Sequence, residues 1–322
     1  MRDRLQTALS AIIGIEVRGI SRLRGGSKKG VYRLSLDDGT TTIAYVWADN
    51  ENYWPAEQNE PEPFSPGSGI DLFEVAHRRL RGLQIRTPKI REIDRSQRDY
   101  PADIAVVEDV PGDNLEALLQ KNPQAAEPIV GRLAEAVENM HVDTAPGFGK
   151  VALIDAGSAG RSCEQVVLDR AFRHLGEAAA RDERIAAARD GLEQALFALA
   201  GGVRPRAHFG LIHGELGPDH VLVDRLGDPV LIDIEGMMFF DVEWEHVFLK
   251  IRFGEYYRWF DRPGLDRQRL RFYELAMRLS LVAGPLRILD GDFPDRAGMA
   301  EIAEHNLRRA LAFLPTPPAS GR

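Results

Sequence analysis

The hydrophobic period of this chain changes once, and that change limits what it can fold into. Val31, Arg33 and Ser35 alternate with Tyr32, Leu34 and Leu36, Asp37-Asp38-Gly39-Thr40 signals a turn, and Thr41 to Trp47 reads as the returning strand. Residues 16–47 are therefore expected to form an antiparallel meander, preceded by a short helix over 2–13 with Leu5, Leu9 and Ile12 on one face. Ile104-Ala105-Val106-Val107 adds a short strand that Pro111-Gly112 ends. Beyond Gly112 the spacing becomes helical: Ile129, Leu133, Ala136, Val137 and Met140 share a face, as do Phe272, Leu275, Ala276, Leu279 and Val282. Strands first and helices afterwards define an α+β protein. At 322 residues the chain exceeds the roughly 100–200 residues of one domain. We expect a sheet lobe over 1–110, a hinge near 108–112 and a helical lobe over 111–322, with small ligands bound in the cleft between them.

Between these blocks, residues 48–69 are rich in Pro, Glu, Asn, Gly and Ser and read as a long surface loop, with Tyr53, Trp54 and Phe64 as its anchors. A helix follows over 70–82, carrying Leu72, Val75, Ala76 and Leu80 on one face, and Thr87-Pro88 bars any helical continuation. Val221-Leu222-Val223 and Val230-Leu231-Ile232 are short β-rich runs joined by a turn at Leu226-Gly227-Asp228-Pro229.

Composition excludes several functions. The net charge of −8 argues against a nucleic-acid binder, which needs a basic face. It suits a small-molecule acceptor that is itself cationic. No run approaches the roughly 20 apolar residues that span a bilayer, and Met1-Arg2-Asp3-Arg4 leads into an amphipathic stretch, so neither a membrane span nor a signal peptide is expected. Cys163 is the sole cysteine, which excludes an intramolecular disulfide and accords with a cytoplasmic protein. Nothing in the composition sets the oligomeric state.

Arg24-Gly25-Gly26-Ser27-Lys28-Lys29-Gly30 stands between two strands. A Walker A loop is rejected, because Val31-Tyr32 and a strand follow where Lys-Ser or Lys-Thr and a helix are required. A glycine loop laid over nucleotide phosphates fits instead, with Gly26, Ser27 and Gly30 giving close backbone approach and Lys28 and Lys29 giving charge.

The most informative stretch runs from Leu211 to Asp224 and contains His213-Gly214-Glu215-Leu216-Gly217-Pro218-Asp219-His220. Val230-Leu231-Ile232-Asp233-Ile234-Glu235-Gly236 and Phe240-Asp241-Val242-Glu243-Trp244-Glu245 follow. These blocks, in this order, resemble the catalytic loop, the metal-binding segment and its continuation in the aminoglycoside phosphotransferase and choline kinase superfamily. Val106 to Gly112 resembles that family's hinge, and Ala134 to His141 with Gly147-Phe148-Gly149 its following helix and loop. The resemblance covers most of the chain. It implies a protein-kinase-like two-lobed fold and transfer of the γ-phosphate of ATP, or GTP in its place, to a small-molecule hydroxyl.

By position in those motifs, Glu215 is the catalytic carboxylate, and Asp233 is a ligand for Mg²⁺ (Mn²⁺ as the alternative), with His220 and Asp219 as further metal ligands. Glu108 and Val110 line the adenine site, Glu74 is the glutamate that steadies a phosphate-binding lysine, and Asp241 ties the metal segment to the catalytic loop. His213 reads as a hydrogen-bonded structural residue, since a carboxylate is already present for proton transfer. Three departures stand out. Glu215 replaces the usual aspartate, His220 replaces an asparagine, and the strand Thr42 to Trp47 has no lysine, leaving Lys28 or Lys29 to supply that charge. The departures define an alternative: a pseudokinase that binds nucleotide or ligand with little transfer. The motifs do not encode the acceptor, so antibiotic resistance, self-protection and metabolism remain equally open roles.

Overall fold

The computed structural model describes residues 2–23, 26–54, 63–65, 67–156 and 161–315. Helix α1 (Arg2–Ile13) precedes a five-stranded antiparallel sheet of β1 (Val17–Arg22), β2 (Gly30–Leu36), β3 (Thr41–Trp47), β4 (Ile90–Asp94) and β5 (Asp103–Glu108), in the order β1-β2-β3-β5-β4. Helix α2 (Ile70–Gly82) connects β3 to β4. The period-two pattern does the expected work. In β3, Ala44 and Val46 point into a core shared with Leu5 and Leu9 of α1, while Ile43 and Tyr45 join the core that continues into the second lobe. The meander, both helices and the strand at 103–108 follow the sequence pattern. Strand β4 has too little apolar alternation to be foreseen.

The second lobe contains α3 (Leu115–Lys121), α4 (Pro123–Val142), α5 (Cys163–Ala179), α6 (Glu183–Ala200), α7 (Val242–Phe253), α8 (Arg267–Leu289) and α9 (Arg296–Leu311). Set among these are β6 (Thr144–Ala145), β7 (Gly149–Lys150), β8 (Phe209–Ile212) and β11 (Met238–Phe240), forming a sheet in the order β6-β8-β11-β7. A separate hairpin pairs β9 (Val221–Val223) with β10 (Pro229–Leu231). The fold is thus α+β and two-lobed.

The anchors of the 48–69 loop reach across to the helical lobe. Tyr53 packs edge-on against Phe293 at 5.3 Å, and Phe64 packs against Phe240 at 5.3 Å and Trp244 at 5.0 Å. Trp54 lies against α8, where a Cβ on Gly284 would stand 3.3 Å from its ring, so the glycine permits the approach. Residues 55–62 and 66 of this loop, like Arg24 and Gly25 of the glycine turn, lie outside the described residues. Arg79 of α2 clamps Asp143 bidentately across the lobes, with Nε to Oδ2 at 2.6 Å. Among the described residues, no helix is long and apolar enough to cross a membrane.

Candidate active site

Two antiparallel pairs build the site. Pairing of β8 with β11 sets Ile212 opposite Met238, so the chain leaving β8 at His213 meets the chain entering β11 from Asp233 to Met237. Pairing of β9 with β10 sets Val221 opposite Leu231, and the Ile232 N–H donates to the His220 carbonyl at 3.0 Å, so both ends of the catalytic loop meet the Asp233 turn. The two turns touch at Gly214 (φ +94°), where any Cβ would stand 3.2 Å from the Gly236 carbonyl oxygen. Glycine is required there for both conformation and space.

Glu215 follows on the exposed side of this turn, and its carbonyl accepts the Nδ1–H of His220 at 2.8 Å. Beneath the loop lies Glu245, fully buried, which accepts the N–H groups of His213 and of Gly214 (3.1 Å). Burial raises its carboxyl to about 7, with the bonds from Gly214, His213 and Leu216 acting in the opposite sense. This corrects the role expected of Asp241. Asp241 is buried, but it accepts from Arg269 and Tyr273 within the helical lobe, and Glu245 is the carboxylate that holds the 213–220 loop. Glu245→Ala would strand the buried N–H groups of His213 and Gly214, besides the bond from Leu216, at ~1–3 kcal/mol each. We expect a loss of about 2–5 kcal/mol in urea unfolding, whereas exposed Glu215→Ala should change stability by less than about 0.5 kcal/mol.

His213 is fully buried, donates Nε2–H to the Ile232 carbonyl at 3.0 Å, and is pushed down to about 4, by burial first and by His220 second. It is neutral at physiological pH and serves as a structural hydrogen-bonding residue, as its position suggested.

Asp233 has left-handed backbone (φ 59°, ψ 43°), an unusual state for a non-glycine residue that recurs where surroundings enforce it at functional sites. Its Oδ1 accepts from Lys29 Nζ at 2.7 Å, and the same ammonium meets Glu235 Oε1 at 2.6 Å. Lys29 is 6% exposed, and its nitrogen sits 5.4 Å from the Tyr45 ring centre. The charge absent from β3 is therefore delivered from the residue directly before β2, over Tyr45 of β3. Burial opposes the Lys29 charge, but Asp233 and Glu235 hold its ammonium well above the ordinary lysine range. Asp233, in turn, is held well below the carboxylate range by Lys29 and His220 despite its desolvation.

Two of the three expected metal ligands, Asp219 and His220, are engaged by neighbouring groups. Asp219 Oδ1 is taken by Arg252 at 2.7 Å. His220 Nε2 lies 3.6 Å from Asp233 Oδ2 and 3.8 Å from Asp219 Oδ2, and although burial works against its charge, these two carboxylates raise its basicity. His220 thus closes the loop as a donor to the Glu215 carbonyl and stands beside both carboxylates. No cluster of three or more His, Cys, Asp or Glu side chains among the described residues could hold an ion. What fits is a Mg²⁺ bound through Asp233 and the phosphates of a nucleotide, since Mg²⁺ commonly takes only one or two protein carboxylates in phosphate sites.

Other expected residues separate. Glu74 pairs with Arg78 at 3.0 Å and Arg95 at 2.9 Å and reaches neither lysine; it lines a groove of about 650 Å³ with His77 and Arg81 instead. Glu108 is held by Arg86, and its N–H goes to the Lys89 carbonyl at 2.9 Å. Val110 is buried where β5 leads into the second lobe. Gly26 has φ +68°, and Gly30 opens β2, where a Cβ would collide with Tyr32 and Glu51. Ser27 is committed to the 48–69 loop, its carbonyl accepting from the Tyr53 N–H and its hydroxyl from the Trp54 indole, each at 2.8 Å. Lys28 turns to Trp54, 5.5 Å from its ring centre. Sequence reasoning missed Lys150 of β7, buried with Nζ 3.0 Å from the Gly236 carbonyl; its one sequence signal is its place directly after Gly147-Phe148-Gly149.

The sheet lobe joined to a helical lobe, with the Asp233 turn and the Glu215 loop facing each other at their junction, places the chain in the kinase-like class of folds. Residues 20–281 match the model of the phosphotransferase enzyme family, and the chain belongs to that family. Its fold is similar to that of aminoglycoside phosphotransferase APH(4)-Ia in ternary complex with ADP and hygromycin B (TM-score 0.65, 17% identity, 94% of this chain and 98% of that one). It is also similar to LicA in complex with AMP (TM-score 0.61, 12% identity, 97% and 98%) and to a fructosamine-3-kinase from Thermobifida fusca (TM-score 0.55, 17% identity, 96% and 98%). No curated protein matches the sequence.

Proposed function

We propose that the protein is an ATP-dependent O-phosphotransferase that phosphorylates a hydroxyl of a small molecule. Residues 1–110 form its nucleotide lobe and 111–322 its acceptor lobe. The observation that carries this reading is Glu215: an exposed carboxylate on a loop fixed from below by Glu245 and closed by His220. A carboxylate so held can accept the proton of an attacking hydroxyl. Lys29 faces the phosphates, Asp233 binds the metal, and the Val110 main chain meets the adenine. The metal, when bound, neutralises charge on the phosphates. Complexes of family-like folds with ADP and with AMP support a nucleotide in this cleft.

The pseudokinase reading draws on one observation, the Lys29 ammonium already lodged between Asp233 and Glu235. It predicts nucleotide binding without acceptor phosphorylation. Calorimetric titration of ATP analogues with and without Mg²⁺ tests the part common to both. Binding at or below millimolar concentration, strengthened by metal in the wild type and no longer metal-dependent in Asp233→Ala, is the expected result. No binding of any purine nucleotide would sink both readings.

A further inference from the structure

Although the chain carries a net charge of −8, positive charge gathers on one wall beside Glu215. Trp54 lies between two cations, with Lys28 Nζ 5.5 Å and the Arg287 guanidinium 5.6 Å from its ring centre. Its indole is tethered to Ser27 and its ring rests against Gly284, so it forms a fixed platform. Arg170 stacks on Phe64 at 4.1 Å, and Phe64 is seated on Trp244. Lys150 joins them. Its Nζ lies 3.0 Å from the Gly236 carbonyl, whose oxygen abuts Gly214 directly before Glu215, and burial and then Lys28 press its ammonium down to about 8.

Among the described residues, the Arg287 Nε and the His174 Nδ1 near these cations have no hydrogen-bond partner. Arg287 gives Nη1 to Glu177 at 3.0 Å, but its Nε is buried and unpaired. His174 is 5% exposed with Nδ1 unpaired, and burial, together with Arg170, Arg287 and Arg173, keeps its imidazole neutral. A polycationic acceptor would meet like charge here. An anionic group would meet charged donors beside a rigid aromatic surface.

We propose that this wall binds an anionic group, a carboxylate or a phosphate, of a hydroxylated acceptor whose hydroxyl is presented to Glu215. The proposal rests on the phosphotransferase reading for the reaction, but its binding component stands apart from turnover. It departs from the cationic acceptor that net charge alone suggests, because the local charge, not the total, faces the ligand.

A matched series tests it: glucose 6-phosphate, glucose and glucosamine, titrated calorimetrically into the full chain saturated with AMP-PNP, so that nucleotide phosphates are already in place. Glucose 6-phosphate should bind more tightly than the other two. Arg287→Gln and Lys150→Gln should each weaken it by about tenfold or more, Arg287→Lys by less, and AMP-PNP affinity should stay within about twofold. The proposal is overturned if glucosamine or glucose binds as tightly as the phosphorylated sugar. It is equally overturned if the variants bind the sugar phosphate like the wild type, or if they lose AMP-PNP affinity in parallel, which would assign the cations to the nucleotide. Anion preference without transfer to any acceptor would overturn the kinase reading alone. Efficient transfer to cationic acceptors with no anion preference would overturn this inference alone.

Discussion

Glu215→Gln is expected to lower phosphoryl transfer by roughly 10²–10⁴, the usual contribution of a positioned general base, and to leave nucleotide affinity nearly unchanged. Glutamine keeps the size of the side chain and removes only its ability to take a proton. The exposed position of Glu215 makes a folding defect an inadequate explanation for any loss. Glu215→Asp separates two further possibilities. The loop is anchored by Glu245 under Gly214 and by His220 on the Glu215 carbonyl, so the backbone cannot readily advance to compensate for a shorter side chain. A shift of about 1 Å in a reacting group can cost a hundredfold, and Glu215→Asp is therefore expected to lose activity. A gain would mean that the natural residue weakens the enzyme.

Lys29→Met is expected to remove about 3–5 kcal/mol of stability, the usual loss when one partner of a buried ion pair is deleted. Lys29 is the shared partner of Asp233 and Glu235. Asp233 is partly exposed and regains solvation, so the loss falls mainly on Glu235, which is 3% exposed. The pH dependence has a definite sign. The folded protein holds Asp233 below the ordinary aspartate value, so its contribution is present above about pH 4 and fades as pH falls further. Urea midpoints measured between neutral pH and pH 3 should fall for the wild type and fall less for Lys29→Met. Lys28→Ala, whose side chain lies on Trp54 and forms no ion pair among the described residues, should be near neutral for stability. If the two lysine variants behaved alike, the division of roles between these adjacent residues would fail.

The parts of the fold that were legible in the sequence are those in which a period runs long enough to be counted. The β1–β3 meander, α2 and the long helices have that length, and the His213 to His220 and Asp233 to Glu235 blocks carry their own residue pattern. The sheet β6-β8-β11-β7 was not legible, because strands of two to four residues are too short for alternation to register. Lys150 was missed for the same reason, since its burial depends on pairing with Met238 from a distant part of the chain. Asp241 and Glu245 are both buried acids in one segment. Which of them reaches the catalytic loop is decided by the turn of α7 in space, and this put the tethering role one helical turn away from where it was expected. The same limit applied to Glu74, which lies on the foreseen helix but faces Arg95.

The most direct test of the central claim is mass-spectrometric detection of acceptor phosphorylation, with wild type and Glu215→Gln incubated in parallel with Mg·ATP and a panel of hydroxylated anionic, neutral and cationic small molecules. The account predicts an acceptor that gains one phosphoryl group with the wild type, most readily among the anions, and at least a hundredfold less product with Glu215→Gln. Equal product from the two proteins would contradict it, as would nucleotide binding in the wild type with no acceptor phosphorylated at all.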